Sequence, residues 1–379
     1  MADAAEAYED DFDEEETTSA AAPPPPALPA PAPAPASSLN AALTAVIPAG
    51  ELQLGRQLGS GSYATIFEAL WARAAPPLLP PLPCAAKVLV DPAAAAEYTA
   101  ELRALASFGA HPNLLALLGA SHLPRPCFIT ELLRGGTLAQ ALRAPPRGAG
   151  AWPLACVLRW GADVARGVAH LHALAPAPLL HRDIKAANVL LRLPADAAAA
   201  ASSTSSAEAV LCDFGLAGCA RSAAGTPTHM APELLREGGG APPTRGADVY
   251  ALGTLLWSLL AGQEAWAGWR VPDLQQAVLR GERPSLALVR GDCPGALREL
   301  VGACWAEDPG ARPSACALEG ALSRAAREAA GAALAGGGGS SAAGGSAGSS
   351  SARSAGASAS GDSLDALFSS TAVKRGGKR

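Results

Sequence analysis

The chain has 379 residues, of which 49 % are hydrophobic and only 4 % aromatic, so any core must be packed mainly by Leu, Val and Ala. Its formal charge of -5 is uneven: residues 1–19 carry nine acidic and no basic residues, which leaves 25 acidic against 29 basic, too weak an excess to imply a nucleic-acid partner. Eight cysteines without a C-x-x-C pair argue for reduced thiols in a cytosol-like compartment and against zinc.

The acidic start, MADAAEAYEDDFDEEE, lacks the basic region of a signal peptide and the Arg-rich face of a mitochondrial transit peptide. Residues 1–49 read as a disordered head, acidic and then rich in Pro and Ala, with order beginning near Gly50. ELQLGRQLGSGSYATIFEALW (51–71) reads as two strands around a glycine turn, ARAAPPLLPPLP as a loop insertion and CAAKVLV as a short apolar strand. Tyr98, Leu102 and Leu105 stand three and four apart, which predicts a helix from Ala94 to Phe108. Leu114–Gly119 and Phe128–Leu132 read as further strands.

Beyond GGTL the pattern turns helical. A continuous apolar face predicts one helix from Leu154 to Leu174, with others at about 248–261, 272–280, 294–305 and 313–330. ALGTLLWSLLAG (251–262) is too short to cross a bilayer and reads as a buried helix. The low-complexity segment 195–209 reads as an insertion in a surface hairpin loop. Residues 331–379 read as a disordered Gly/Ser/Ala tail ending in KRGGKR, whose basic pairs are a weak nuclear-import signal beside the plainer reading of a solvated tail. The expected architecture is α+β and bilobal. An antiparallel-sheet lobe with one main helix spans about 50–132, a mostly helical lobe spans about 136–330, and the cleft falls near Thr130–Gly136. The protein is expected to be soluble and cytoplasmic.

The chemistry centres on HRDIKAANVLL (181–191). Asp183 can orient a hydroxyl and accept its proton, Lys185 can touch a transferred phosphoryl group, and Asn188 can hold Mg2+ beside phosphates. GSGSYATI (59–66) lies between two strands, the context of a flap over phosphates and not of a dinucleotide site. Ala64 stands at its third glycine position and adds one methyl, which alters flap mobility without removing nucleotide binding. Lys87, the one cation of its strand, is expected to meet the α- and β-phosphates and needs a carboxylate, from Glu101 or, one turn earlier, Glu97. Asp213 in CDFGLA is the second expected Mg2+ ligand, with Phe214 packed behind it. In the following loop Thr226 is expected to bond Asp183 and Lys185. Ser222 or Thr228 is then the phosphosite, with Arg182 as partner of its phosphate. Glu233 should be buried against Arg312, and Asp248 should brace the His181–Arg182 backbone. His111 and His181 lack neighbouring ligands and are assigned to packing and hydrogen bonding.

From about Glu51 to Ala330 these motifs, in this order, resemble the eukaryotic protein kinase family. The lysine of HRDIKAAN, GTPTHMAPE and CWAEDPGARPS are similar to the tyrosine-kinase-like group of serine/threonine kinases, which includes Raf-like and mixed-lineage kinases. The resemblance implies an ATP- and Mg2+-dependent protein serine/threonine kinase that acts in signalling. It implies protein substrates, an upstream kinase acting on the Ser222/Thr226/Thr228 loop, and neither a nucleic-acid nor a membrane partner. It places the gatekeeper at Thr130 and the adenine-binding hinge at Glu131–Leu133. Catalytic roles fall on Asp183, Lys185, Lys87 and Glu101. The nucleotide site falls on Leu58, Gly59, Ser60, Gly61, Ser62, Tyr63, Ala64, Thr65, Ile66, Ala85, Lys87, Thr130, Glu131 and Leu133. The metal falls on Asn188 and Asp213. The alternative, a pseudokinase-type scaffold, would be favoured by loss of Lys87, Asp183 or Asp213, and all three are present.

Overall fold

Alternating side chains build the first lobe. β1 (Leu52–Ser60), β2 (Ala64–Trp71) and β3 (Leu82–Leu89) are followed by α1 (Ala95–Ser107), β4 (Leu117–Ser121) and β5 (Cys127–Glu131), giving an antiparallel sheet of order β1-β2-β3-β5-β4. The computed structural model describes residues 46–337 apart from 62, 74–79, 122–124, 147–150, 195–203, 218–224 and 237–241. The head expected at 1–49 (up to residue 45), Ser62, Ser222, the middles of both loop insertions and the tail from 338 onward lie outside the described residues.

Because strand side chains alternate between faces, Cys84, Ala86 and Val88 of β3 enter the lobe core with Ala69, Cys127 and Ile129, while Ala85 and Lys87 point to the opposite face. Phe128 pairs with Lys87 and packs at a tilt on Tyr98 of α1, at 5.4 Å between ring centroids, so the helix lies against the Lys87 side of the sheet. On α1, Tyr98, Glu101, Leu102 and Leu105 are buried, while Glu97 is exposed. Glu97 lies one turn earlier on nearly the same side, in the exposed first turn, so depth along α1 and not helical period selects Glu101 as the inward carboxylate.

Two boundaries differ from the sequence expectation in this lobe. Among the described residues it includes Val46 and Ile47, ahead of Gly50: Val46 bridges Ala120 and Ile47 is buried in the sheet core. The fourth strand starts at Leu117, not Leu114. Leu114 bridges Leu211 and Leu115 donates to the Leu211 carbonyl, so this piece joins the lower lobe instead of the sheet.

The second lobe runs α2 (Leu138–Arg143), α3 (Leu154–His172), a hairpin of β6 (Val189–Arg192) and β7 (Glu208–Leu211), α4 (Pro232–Leu235), α5 (Arg245–Ala261), α6 (Val271–Leu279), α7 (Gly295–Cys304) and α8 (Ala315–Gly337). The hairpin flanks the expected loop insertion. The last helix extends past residue 330, where the tail was expected to begin. α5, apolar on every side, is buried almost throughout, and among the described residues no helix is long and apolar enough to cross a membrane. Glycine permits its close packing: a Cβ at Gly161 would stand 2.5 Å from Leu256, and one at Gly253 would stand 2.4 Å from Cys304. α2 is an element that hydrophobic periodicity misses, although its signal is legible as the Thr137-x-x-Gln140 capping box, in which each side chain bonds the other's backbone N–H.

Glu233 and Arg312 form a buried bidentate pair, both bonds at 2.7 Å, and the guanidinium also donates to the carbonyls of Gly246 and Ala306. This pair anchors the end of the loop that follows Asp213. Removing one partner of a buried pair leaves an uncompensated charge, so Arg312→Ala should cost about 3–5 kcal/mol in chemical denaturation. Truncating the exposed Arg236, which pairs with Glu307, should cost less than about 1 kcal/mol. Equal losses would contradict the structural role of the buried pair.

Candidate active site

Lys87 and Glu101 meet beneath the sheet, with Lys87 Nζ 2.7 Å from both carboxylate oxygens of Glu101. Glu101 is 3 % exposed and Lys87 17 %, so water screens the pair little. Burial raises the Glu101 carboxyl above its ordinary value, and the Lys87 charge opposes that rise. Asp213 stands 3.8 Å from Lys87 and remains 46 % exposed, a carboxylate open to a ligand on its other side.

Tyr63, at the tip of the glycine loop, reaches into the same cluster. Its hydroxyl donates to Glu101 Oε2 at 2.5 Å and receives a bond from Lys87 Nζ at 3.2 Å. Burial and the Glu101 charge raise its pKa, so the phenol stays protonated. A Cβ at Gly215 would stand 3.1 Å from this hydroxyl and 3.4 Å from Asp213 Oδ1, so glycine is the residue that leaves this crowded space open. The sequence places Tyr63 in the loop but carries no signal that its side chain joins the Lys87–Glu101 pair.

The lower wall is held by Asp248. Its buried carboxylate accepts the backbone N–H groups of His181 (3.0 Å) and Arg182 (2.8 Å) and contacts His172 Nε2 at 2.8 Å. These bonds matter because Arg182 has φ 71° and Asp213 φ 64°, left-handed conformations that cost a non-glycine residue about 1–3 kcal/mol each. Phe214 is fully buried between Phe108 and His181, each ring 4.9 Å away, and this packing sets the direction of Asp213. His181 bonds the Cys212 carbonyl, and His111 stacks on His170. Both histidines pack and bond, and among the described residues no group of three or more His, Cys, Asp or Glu could hold a metal.

Asp183 lies at the centre of this wall. Lys185 Nζ lies 2.8 Å from its Oδ2, Asn188 Nδ2 donates to Oδ2 at 2.8 Å, and Thr226 donates to Oδ1 through its hydroxyl (2.6 Å) and its N–H (3.1 Å). Burial opposes the charge, but the bonds from Lys185, Thr226 and Asn188 outweigh it and hold the carboxyl below the usual aspartate value. Lys185 also donates to the Thr226 hydroxyl at 2.7 Å. Thr226 thus sits where the sequence placed it. Thr228 bonds His229 instead, and burial pushes the His229 pKa down to about 4.

Asn188 spends its amide hydrogens on the carbonyl (2.9 Å) and carboxylate of Asp183, which turns its Oδ1 away from them. That oxygen and the exposed Asp213 carboxylate form a hard, two-residue donor set. It fits Mg2+, which commonly takes one or two protein ligands and completes its shell with phosphate and water.

The remaining residues of the predicted nucleotide site divide by strand face. Ile66 pairs with Lys87 across β2 and β3, and Ala85 pairs with Glu68, so these share the cleft-facing side. Thr65 pairs with Val88 on the opposite, core-facing side, so the part of it that faces the expected nucleotide is its backbone and not its side chain. Ala64 is buried and Leu58 is 41 % exposed; Gly59 and Ser60 end β1, paired with Ile66 and Thr65, and Gly61 opens the turn and donates to the Ala64 carbonyl at 2.8 Å. Thr130 is buried at the back of the cleft, with Leu133 partly buried beyond it. The Glu131 N–H already donates to the Ala116 carbonyl, which narrows the expected adenine contacts to the Glu131 carbonyl and the Leu133 backbone. Two features had no sequence signal: the Glu131–Arg192 pair, and the Glu68–Arg134 bond at 2.7 Å across the mouth of the cleft.

Residues 52–322 match the family described as Protein tyrosine and serine/threonine kinase. The chain is 35 % identical over 286 residues to human "Mitogen-activated protein kinase kinase kinase 10", covering 70 % of this chain and 27 % of the relative. It is 28 % identical over 302 residues to "Mitogen-activated protein kinase kinase kinase 7" of Drosophila melanogaster, covering 78 % and 40 %. It is 31 % identical over 276 residues to "Probable serine/threonine-protein kinase drkD" of Dictyostelium discoideum, covering 71 % and 19 %. The matched region thus spans well under half the length of these relatives.

Asp248→Asn would set an amide N–H2 against N–H donors and release the strained turn. Loss of one or two buried charged bonds corresponds to a turnover lowered about ten-fold or more. Nucleotide affinity, whose expected contacts lie mainly on the upper lobe, should change less than about two-fold by the same reasoning. Steady-state kinetics with a nucleotide titration checks this; an unchanged turnover would contradict the bracing role.

Proposed function

This chain belongs to the protein tyrosine and serine/threonine kinase family, and we propose that it transfers the γ-phosphoryl group of ATP to serine or threonine hydroxyls of protein substrates. The observation that carries this reading is the grip on Thr226. Its hydroxyl lies 2.6 Å from the Asp183 carboxylate and 2.7 Å from the Lys185 ammonium, the contacts an acceptor hydroxyl needs. An acceptor in that place would be oriented by Asp183 and would pass its proton there as the new O–P bond forms and the bond to the ADP leaving group breaks. Because Asp183 is held at low pKa, its main work is orientation, with proton acceptance late, as suits a loose phosphoryl-transfer transition state. Lys185 offsets charge on the moving phosphoryl group, while Lys87, fixed by Glu101, holds the α- and β-phosphates. Asn188 and Asp213 would hold Mg2+, which neutralises phosphate charge when bound.

Two of the relatives are named as mitogen-activated protein kinase kinase kinases, which supports placing this enzyme in signalling, with another protein kinase as its acceptor. Thr228 and Ser222 remain the sites we assign to an upstream kinase, since Thr226 is engaged in the centre. We place the protein in the cytoplasm. The free state of every cysteine among the described residues supports this.

Labelled ATP with Mg2+ and a generic protein acceptor, followed by phosphoamino-acid analysis, tests the reading. Wild type should yield phosphoserine and phosphothreonine, and Asp183→Asn should lower the rate by about 10²–10⁴-fold. Equal incorporation by both would overturn the mechanism, and phosphotyrosine alone would overturn the acceptor class.

A further inference from the structure

The hinge is fastened at both ends to one strand of the lower lobe. After it, Gly135 N–H donates to the Leu191 carbonyl at 3.1 Å and Leu191 N–H donates to the Gly136 carbonyl at 3.0 Å. A Cβ at Gly135 would fall 2.4 Å from the Leu191 oxygen, so only glycine allows that approach. At the start of the hinge the next residue of the same strand takes over. Arg192 Nη2 donates to both carboxylate oxygens of Glu131, at 2.8 and 2.9 Å. Glu131 in turn is joined twice to Ala116, accepting its N–H on the carboxylate and donating its own N–H to the carbonyl, each at 3.1 Å. The second arm of Arg192 donates to the Pro112 carbonyl at 2.6 Å and to Glu208 at 3.2 Å. One guanidinium therefore gathers the hinge, the segment leading into β4, and the β6–β7 hairpin.

We propose that Arg192 is a positioning residue for nucleotide binding: through Glu131 it fixes the start of the hinge, so that the Glu131 carbonyl and the Leu133 backbone are held where adenine must bond. Residues 132–134 lie between the Arg192–Glu131 pair and the Leu191–Gly135 bonds, and their backbone has no element of its own to hold it. Both side chains of the pair are partly buried, Arg192 28 % and Glu131 22 % exposed, so the contact of Nη2 with both carboxylate oxygens is shielded from water better than a surface pair. The planar guanidinium matters to the geometry: Nη2 meets the Glu131 carboxylate while Nη1 reaches Pro112 and Glu208, two separate positions that one lysine ammonium could not fill at once. Glu208 touches the outer arm only, so its loss tests the charge environment of Arg192 without touching the hinge.

This inference rests on the kinase reading above, and the experiment separates the two. ATP KM, kcat and melting temperature are measured for wild type, Arg192→Met, Arg192→Lys, Glu208→Gln, Glu131→Gln and the Glu131→Gln/Arg192→Met double variant, with Mg2+-ADP affinity measured alongside. Methionine keeps the aliphatic stem and removes the fork. Arg192→Met should raise ATP KM and ADP Kd about five-fold with kcat within about two-fold, Arg192→Lys should fall between it and wild type, and Glu208→Gln should match wild type within about two-fold. The double variant should be no weaker than Arg192→Met alone. A lowered melting temperature with unchanged KM and Kd in Arg192→Met would make the residue a plain structural staple and overturn the proposal. So would additive losses in the double variant, or an equal rise in KM for Glu208→Gln. If wild type binds Mg2+-ADP but transfers no phosphoryl group, the kinase reading fails, and the ADP Kd series still decides the role of Arg192.

Discussion

The ion pair between Lys87 and Glu101 is the constraint on which the upper half of the site depends. Burying two charges costs more than their attraction returns unless hydrogen bonds complete both shells. Here the shells are completed locally: Lys87 bonds both oxygens of Glu101 and the Tyr63 hydroxyl, and it lies 3.8 Å from Asp213. One contact thereby joins β3, α1, the glycine loop and the segment carrying Asp213. The aromatic contact of Tyr98 with Phe128 supplies the apolar support that keeps α1 against the sheet, so packing and electrostatics enforce the same register.

The lower half depends on strain held in place. Arg182 and Asp213 both adopt left-handed backbone, and each is stabilised from behind, by the Asp248 carboxylate for the first and by buried Phe214 for the second. The two devices aim Asp183 and Asp213 at a common space, with Asn188 between them bonded to Asp183. The Glu233–Arg312 pair closes the loop that brings Thr226 onto Asp183. Scaffold residues outnumber reacting ones because each reacting carboxylate must be held in one orientation.

Much of this was legible in the sequence, for identifiable reasons. Asp183, Lys185 and Asn188 lie within one short loop, so their spacing encodes their geometry; Lys87 and Asp213 each stand in a short apolar context that narrows the choices. Glu101 and Glu97 share a side of α1, one turn apart, so the choice between them was settled by depth along the helix, which only the packed structure shows. Other features depended on contacts that have no local signature. Leu114 pairs with Leu211, nearly a hundred residues away, so no local pattern could show that it leaves the sheet. Thr65 lay within a correct motif, but which face of β2 it occupied was decided by pairing with Val88. Arg192 is one polar residue in an otherwise apolar strand, and its partners come from three distant segments. The short helix α2 was the exception: its capping box was in plain view and hydrophobic periodicity alone overlooked it.

The most direct test of this account is a double-mutant cycle on Lys87 and Glu101, read as Mg2+-nucleotide affinity for wild type, Lys87→Met, Glu101→Gln and the double variant. If Glu101 acts by holding Lys87 on the phosphates, the two losses must overlap, with a coupling of at least about 1 kcal/mol between them. Strictly additive losses would mean that the two residues serve the nucleotide independently, and would contradict the pair as the organising contact of the site.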